Sequence, residues 1–165
     1  MIHASSIVIN IQQEDLKSIA HKIKEGMYEK ICREEMEEIE WVMENTPGIG
    51  RAEDFDMEHH FANGLYIRVC RIPAGSLAMS RFHLDQHVFF LTQGDMTFAS
   101  ELGTQRIIAP YNGIHAPGYK KLVYVHEDIV AITVHRSDKT TVEDVEAELF
   151  ANTFQDWDKL QEALS

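Results

Sequence analysis

The stretch that decides the fold is residues 75–94, which read GSLAMSRFHLDQHVFFLTQG. Its second half is rich in β-branched and aromatic residues and ends at a Gly-containing turn, which predicts a buried strand. Residues of equal parity on a strand share a face, so four polar side chains are expected to line one face: Arg81, His83, Asp85 and His87. Imidazoles that lie close together on a strand are common ligands of first-row metals. Because core and surface histidines also occur at this spacing, the pair alone is a weak signal.

Similar short runs lie on both sides of this stretch, between residues 64 and 135. Runs rich in β-branched and aromatic residues alternate with turns, and they occupy residues 65–72, 87–91, 96–98, 105–108, 121–125 and 128–134. Many short strands at this spacing predict a β-sandwich or a small barrel. Residues 53–60 precede these runs and are interpreted as a polar connector.

Helices are predicted on both sides of the strands. Apolar residues recur at three- and four-residue steps from Leu16 to Ile31, so one long helix is expected over residues 12–44. Its acidic second half is interpreted as a solvated surface, and residues 45–50, which contain Pro and Gly, are expected to end it. Near the C-terminus, the sequence TVED at residues 141–144 predicts a helix N-cap.

The C-terminal helix carries an apolar stripe that is expected to pack on the barrel or on a second subunit; its members are Phe154, Trp157, Leu160 and Leu164. The sequence contains no internal repeat. The predicted organisation is a helical extension over residues 1–50, a strand-rich domain (a β-sandwich or a small β-barrel) over residues 51–137 and a helical segment over residues 138–165.

The composition excludes several classes of protein. The chain has 165 residues, 44% of them hydrophobic, and a formal net charge of -12, which fits one globular domain and disfavours nucleic-acid binding. No apolar stretch approaches the roughly 20 residues that cross a bilayer, and residues 1–11 lack the basic start of a signal peptide. Cys32 and Cys70 stand outside any metal or redox motif and are expected to be reduced thiols of a cytoplasmic protein.

The opening stretch resembles the first motif of the cupin superfamily, G-x5-H-x-H-x3-E-x6-G. Arg81 stands where that family has its first histidine, and His87 stands where it has glutamate. The second motif, G-x5-P-x-G-x2-H-x3-N, fits in two registers. One register places His115 on the motif histidine; the other, favoured for its turn chemistry, matches Gly118 and places Lys121 there. The resemblance implies a mainly β fold, a cupin-type antiparallel β-barrel (a jelly roll or double-stranded β-helix), and a homodimer.

Residues 59–149 also resemble small cupin-like proteins found in tailed-phage genomes. Those proteins tend to read H-x-H-x3-H, followed later by Y-x-H-E-D. His83, His87 and His126 match this pattern, and Arg81 departs from it at the first histidine. The resemblance implies a location in a host cytoplasm or in a virion, and it leaves the activity open.

Two hypotheses about function follow from these resemblances. In the first, His83 and His87 bind a divalent metal (Fe, Mn, Ni or Zn), and either His126 or His115 completes a three-histidine site with open coordination positions. An enzyme of this kind would resemble the three-histidine cupin dioxygenases and isomerases. In the second, the chain is a non-catalytic module that acts as a phage virion component or binds a phage or host protein. A minor third alternative is a structural barrel whose acidic helix mimics nucleic acid.

Two candidate catalytic residues accompany the first hypothesis. Arg81 is expected to pair with the carboxylate of a small anionic ligand, and Tyr124 is expected to serve as a hydrogen-bond donor or an acid. The alternative for Arg81 is an ion pair with Asp85 or Glu127. His135 lies near a predicted strand end and is expected to be exposed.

Overall fold

The computed structural model describes residues 13–46 and 55–165 of the chain. Two helices come first, α1 (Gln13–Lys24) and α2 (Arg33–Asn45), and two come last, α3 (Val142–Leu149) and α4 (Phe154–Leu164). The strands are β1 (Asp56–Ala62), β2 (Leu65–Ile72), β3 (Leu77–Met79), β4 (Phe82–His83), β5 (His87–Ser100), β6 (Gly103–Ile108), β7 (Tyr111–His115), β8 (Leu122–Arg136) and β9 (Phe150–Ala151). Residues 1–11 and most of the turn predicted over residues 45–50 lie outside the described residues.

Seven of the strands form one antiparallel sheet, in which the main order is β1-β2-β8-β5-β6. β3 pairs with the first residues of β8, on the edge where β2 pairs with its last residues. β7 and β6 share the other edge of β5 in the same way. The prediction of a mainly β, antiparallel fold is therefore confirmed, but no strand pairing within the described ranges closes the sheet into a barrel.

The two longest strands, β5 and β8, curl around one interior. Their register shifts three times between Leu91 and Met96, and such irregularities bend a strand. The rings of Phe89 and Phe98 both lie close to the ring of His115, at 4.7 and 6.2 Å between centroids. On a straight strand, the nine steps between these two phenylalanines would separate them by about 30 Å. Both ends of β5 therefore face the same interior.

The two faces of β8 contact different parts of the core. Leu122 and Tyr124 pack with residues of α1 and α2. Val125 and Ile129 belong to the interior cluster, which includes Leu91 of β5. Successive side chains of a strand point to opposite faces, so the even-numbered residues near the start of β8 face the helices and the odd-numbered ones face the interior.

The predicted N-terminal helix is divided in two at Gly26. Gly26 has a φ of 65°, and its N–H donates to the carbonyl of Ile23 at 3.0 Å. The N–H of Met27 donates to the carbonyl of Lys22 at 2.8 Å. These two hydrogen bonds form a Schellman motif, which ends α1. The apolar periodicity continues across the break, so periodicity alone did not reveal it.

Residues 53–60, interpreted as a connector, include most of a strand. β1 pairs with β2 along its whole length, from Asp56 opposite Arg71 to Ala62 opposite Leu65. Its side chains are mostly exposed, which explains why its composition is polar.

The C-terminal segment begins as predicted but is not one helix. The Oγ1 atom of Thr141 accepts a hydrogen bond from the N–H of Asp144 at 3.2 Å, which confirms the N-cap. β9 then interrupts the segment, and Thr153 caps α4 in the same way. Of the predicted stripe, Phe154 is buried and Leu164 is 83% exposed. None of the described helices is long and apolar enough to cross a membrane.

Candidate metal centre

Three histidines meet in the interior of the curled sheet. His83 ends β4, His87 begins β5 and His135 lies near the end of β8. Their ring centroids are 4.0 Å apart for His83 and His87, 5.1 Å for His83 and His135, and 4.7 Å for His87 and His135. One ring nitrogen from each lies within 4.8 Å of the others, so the three could hold a metal ion. We call this group the histidine cluster.

The strand register explains why two of these histidines are neighbours. Val88 pairs with Val134, and the same antiparallel register continued by one residue brings His87 opposite His135. On the other edge of β5, His87 pairs directly with His115. A row of histidines therefore crosses three neighbouring strands, β8, β5 and β7.

Burial leaves several ring nitrogens of the cluster without a hydrogen-bond partner. His87 and His135 are only 4% and 1% exposed. Neither the Nδ1 atom of His83 nor either ring nitrogen of His135 has a partner among the described residues, which is unusual for buried polar atoms. The Nδ1 atom of His87 donates to the backbone carbonyl of Asp85 at 3.2 Å, so its Nε2 atom keeps a lone pair. Such lone pairs are suited to metal coordination.

Burial also keeps the cluster uncharged. It lowers the pKa of His87 to about 4 and that of His135 to about 3, and it lowers the pKa of His83 well below its usual value. Positive charges act in the same direction, because Lys121 lowers the pKa of His83 and His87 while Arg68 lowers those of His83 and His135. The imidazoles are therefore neutral at pH 7, the state in which they bind metals.

His115 and Lys121 form a second pair beside the cluster. The ring of His115 lies 5.6 Å from that of His87. The Nζ atom of Lys121 donates to the Nδ1 atom of His115 at 2.8 Å, and it lies 5.3 Å from the ring centroid of Phe98. Burial lowers the pKa of Lys121 to about 8 and that of His115 to about 3. In one register of the second motif, Lys121 stands at the position of the ligand histidine. In the structure it directs its ammonium group towards the cluster.

The structure does not bring His126 or Tyr124 to the cluster. Both have even numbers and lie near the start of β8, where even-numbered side chains face away from the interior. The Nε2 atom of His126 lies 2.8 Å from the Oγ1 atom of Thr97 and is hydrogen-bonded to it. The ring of Tyr124 lies 5.1 Å from that of His126 and packs against the helical part of the core.

Arg81 pairs with a carboxylate of α3. Its Nη1 atom lies 3.2 Å from the Oε2 atom of Glu146, and its guanidinium group lies 5.9 Å from the ring centroid of Phe150. The ring of Phe150 in turn contacts that of His83 edge-on at 4.9 Å. Arg81 also lines a cavity of about 480 Å³ beside α2, whose walls do not include the cluster histidines. Its charge is therefore near the cluster and partly neutralised.

His135 was expected to be exposed, and this expectation is wrong. It is 1% exposed because the rings of His83, His87 and Phe150 and that of Tyr66, its direct partner on β2, surround it at 4.7 to 6.1 Å between centroids. Its odd residue number is the sequence signal that could have placed it in the interior, because the interior-facing residues of β8 also have odd numbers. The single strand expected over residues 81–87 is also interrupted, since residues 84–86 lie between β4 and β5.

Comparison with known proteins adds structural neighbours only. No family model matches the chain, and no curated protein matches it. A cupin-2 domain protein from Shewanella frigidimarina is 10% identical, with a TM-score of 0.42, over 50% of this chain and 80% of that chain. A cupin domain from Bordetella pertussis is 15% identical, with a TM-score of 0.43, over 55% of this chain and 99% of that chain. An acetylacetone dioxygenase from Acinetobacter johnsonii is 18% identical, with a TM-score of 0.41, over 48% and 58%.

Proposed function

We propose that the chain binds a divalent metal ion through His83, His87 and His135 and presents it to a small anionic ligand. Two observations carry this proposal: one ring nitrogen from each of the three histidines lies within 4.8 Å of the others, and buried ring nitrogens of His83 and His135 lack hydrogen-bond partners among the described residues. Neutral imidazoles of this kind suit Fe, Mn, Ni or Zn. Three neutral ligands would leave the metal its full charge and open coordination positions, where it would act as a Lewis acid on a bound anion.

Metal binding requires the three rings to turn. Their planes are nearly parallel, with angles of 17° to 24° between them. A nitrogen lone pair lies in the plane of its ring, so stacked rings do not direct their lone pairs to one point. Bonds of about 2.0–2.1 Å also need nitrogens closer together than 4.8 Å. We therefore expect small rotations of the rings, while the hydrogen bond to Asp85 holds the tautomer of His87.

Elemental analysis of protein purified without chelator tests the proposal. We expect about one equivalent of Fe, Mn, Ni or Zn per chain, and we expect His135→Ala to lose it. The matched control is His126→Ala, because His126 lies on the other side of β8 and is half-exposed. Metal that is lost in His126→Ala and kept in His135→Ala would contradict the ligand assignment. Absence of metal after reconstitution would contradict the proposal as a whole.

A second role, in protein binding, is supported by an apolar patch on the outer face of the sheet. Val88, Phe90 and Ile114 are 36%, 36% and 68% exposed. Val88 pairs with both Ile114 and Val134, so these side chains lie side by side across three strands. We propose that this patch, which we call the outer patch, joins two copies of the chain as a homodimer.

A further inference from the structure

We propose that Lys121 is the residue that recognises the anionic ligand, and that this ligand is a small carboxylate that binds together with the metal. This inference rests on the proposed metal site and adds to it the ligand class and the positioning residue. Sequence reasoning assigned the anion to Arg81 instead. The contacts of Lys121 and Arg81 favour Lys121 as the residue that binds the anion.

Lys121 is a largely buried amine without a carboxylate partner in the described part of the chain. Its contacts are the Nδ1 atom of His115, at 2.8 Å, and the ring of Phe98. Burial alone lowers the pKa of Lys121, to about 8, so the group is still mostly protonated at pH 7. A buried ammonium group normally lies beside a carboxylate, because an unpaired buried charge is costly. We therefore infer that the anionic partner of this ammonium group is a bound ligand.

The other cations near the cluster are engaged elsewhere. Arg81 forms an ion pair with Glu146 at 3.2 Å. The Nε atom of Arg68 donates to the sulfur of Met57, and its guanidinium group lies 5.2 Å from the ring centroid of Phe150. Lys121 differs from both because its hydrogen-bond partner, His115, lies directly beside His87 of the cluster.

The charges around the cluster require an anion once a metal is bound. The group that could hold the metal consists of three histidines and includes no carboxylate among the described residues, and the Lys121 ammonium group is hydrogen-bonded to the neighbouring His115. A divalent metal held by three neutral imidazoles would add two positive charges to this site. A carboxylate has two oxygens, so it can bind the metal with one and accept a hydrogen bond from the Lys121 amine with the other. Because His87 and His135 are almost fully buried, the carboxylate must be small.

Cobalt(II) titration in two buffers tests the inference, with acetate as the probe and chloride at equal ionic strength and pH 7 as the reference. We expect the chain to bind Co²⁺ about tenfold more tightly in acetate, which is within the usual range of coupling between two ligands. The visible bands of the bound cobalt should differ between the two buffers. We expect Lys121→Met to remove the acetate effect without weakening binding in chloride, because the ammonium group repels the metal.

Two variants control for charge and for folding. Lys159→Met removes an exposed lysine of α4 and should keep the full acetate effect. Lys121→Arg keeps the positive charge and should restore part of the effect. An acetate effect of equal size in Lys121→Met and in the unmodified chain would overturn the inference, as would equal affinities in acetate and chloride. Absence of Co²⁺ binding in either buffer would overturn the proposed metal site itself and the inference with it.

Discussion

At the scale of single residues, burial decides what the histidines can do. His135 has two buried ring nitrogens without hydrogen-bond partners among the described residues, and the Nε2 atom of His87 keeps a lone pair because its Nδ1 atom donates to Asp85. Both are almost completely excluded from solvent. An unpaired buried polar group destabilises a fold, so these residues cost stability in the absence of a ligand.

We expect the replacement of His135 by leucine to stabilise the metal-free chain. His135→Leu removes two unpaired polar atoms and keeps a similar side-chain volume, so the free energy of unfolding should rise by about 1–2 kcal/mol. The same variant should lose bound metal. Urea denaturation in the presence of a chelator measures the first effect, and elemental analysis measures the second. A variant that is both destabilised and metal-replete would show that His135 has a purely structural role.

The stability of the metal-free chain should also depend on pH. The folded pKa is about 4 for His87 and about 3 for His135, against about 6.5 in the unfolded chain. Protons therefore favour the unfolded chain, so this stability is complete above pH 6.5 and is lost as the pH falls towards 4. Each histidine contributes a slope of up to about 1.4 kcal/mol per pH unit in that window. Denaturation at pH 7 and pH 5 measures it, and His135→Leu should reduce it; an unchanged slope would contradict the assignment.

At the scale of the elements, glycines allow the bends on which the fold depends. Gly94 has a φ of 86° and lies where β5 bends against β8, and a Cβ atom there would lie 2.3 Å from the backbone oxygen of Asp128. Gly26 has a φ of 65°, and a Cβ atom there would meet nothing within 4 Å. The first glycine is required by backbone conformation and by space, the second by conformation alone.

Alanine at these two positions should therefore have unequal effects. Gly26→Ala should lower the free energy of unfolding by about 1–2 kcal/mol, the cost of a left-handed conformation for a residue with a Cβ atom. Gly94→Ala should cost clearly more, because β5 must also move away from β8. Denaturant titration of both variants measures the difference. Equal losses of free energy of unfolding would show that β5 and β8 accommodate the added Cβ atom near Asp128 without a further loss of stability.

At the scale of the whole molecule, the charge of the chain limits how copies can meet. A net charge of -12 repels a second copy except where an interface is largely uncharged. The outer patch provides such a surface on the sheet. The end of α4 also exposes apolar side chains, since Leu160 and Leu164 are 40% and 83% exposed.

We expect the chain to be a dimer that forms through the outer patch. Phe90→Glu places a charge within that patch and should yield monomers in sedimentation or light-scattering measurements. Leu164→Glu, at the exposed end of α4, is the matched control and should leave the dimer intact. Dimers that survive Phe90→Glu and dissociate in Leu164→Glu would place the interface on the helix. A monomer in the unmodified chain would contradict both versions.

Local pattern in the sequence determined much of the architecture. The run of β-branched and aromatic residues at 65–72 coincides with β2, and the Thr141 cap begins α3. His83 and His87 were identified by spacing, and they do lie together in the interior. Such features were accessible because strand composition and helix caps depend on residues close together in the chain. The strand β1 was missed because an exposed edge strand has no apolar alternation to reveal it.

The tertiary structure alone decided which residue far along the chain lies beside His83 and His87. His135 lies beside His87 because β8 pairs with β5 in one register, whereas Lys121 contacts His115 across the short loop that joins β7 to β8. A motif on one strand cannot specify the contact between His135 and His87, since pairing and bending depend on the whole sheet. His126, which a sequence motif selected, instead lies on the opposite face, because one step along a strand reverses the direction of a side chain.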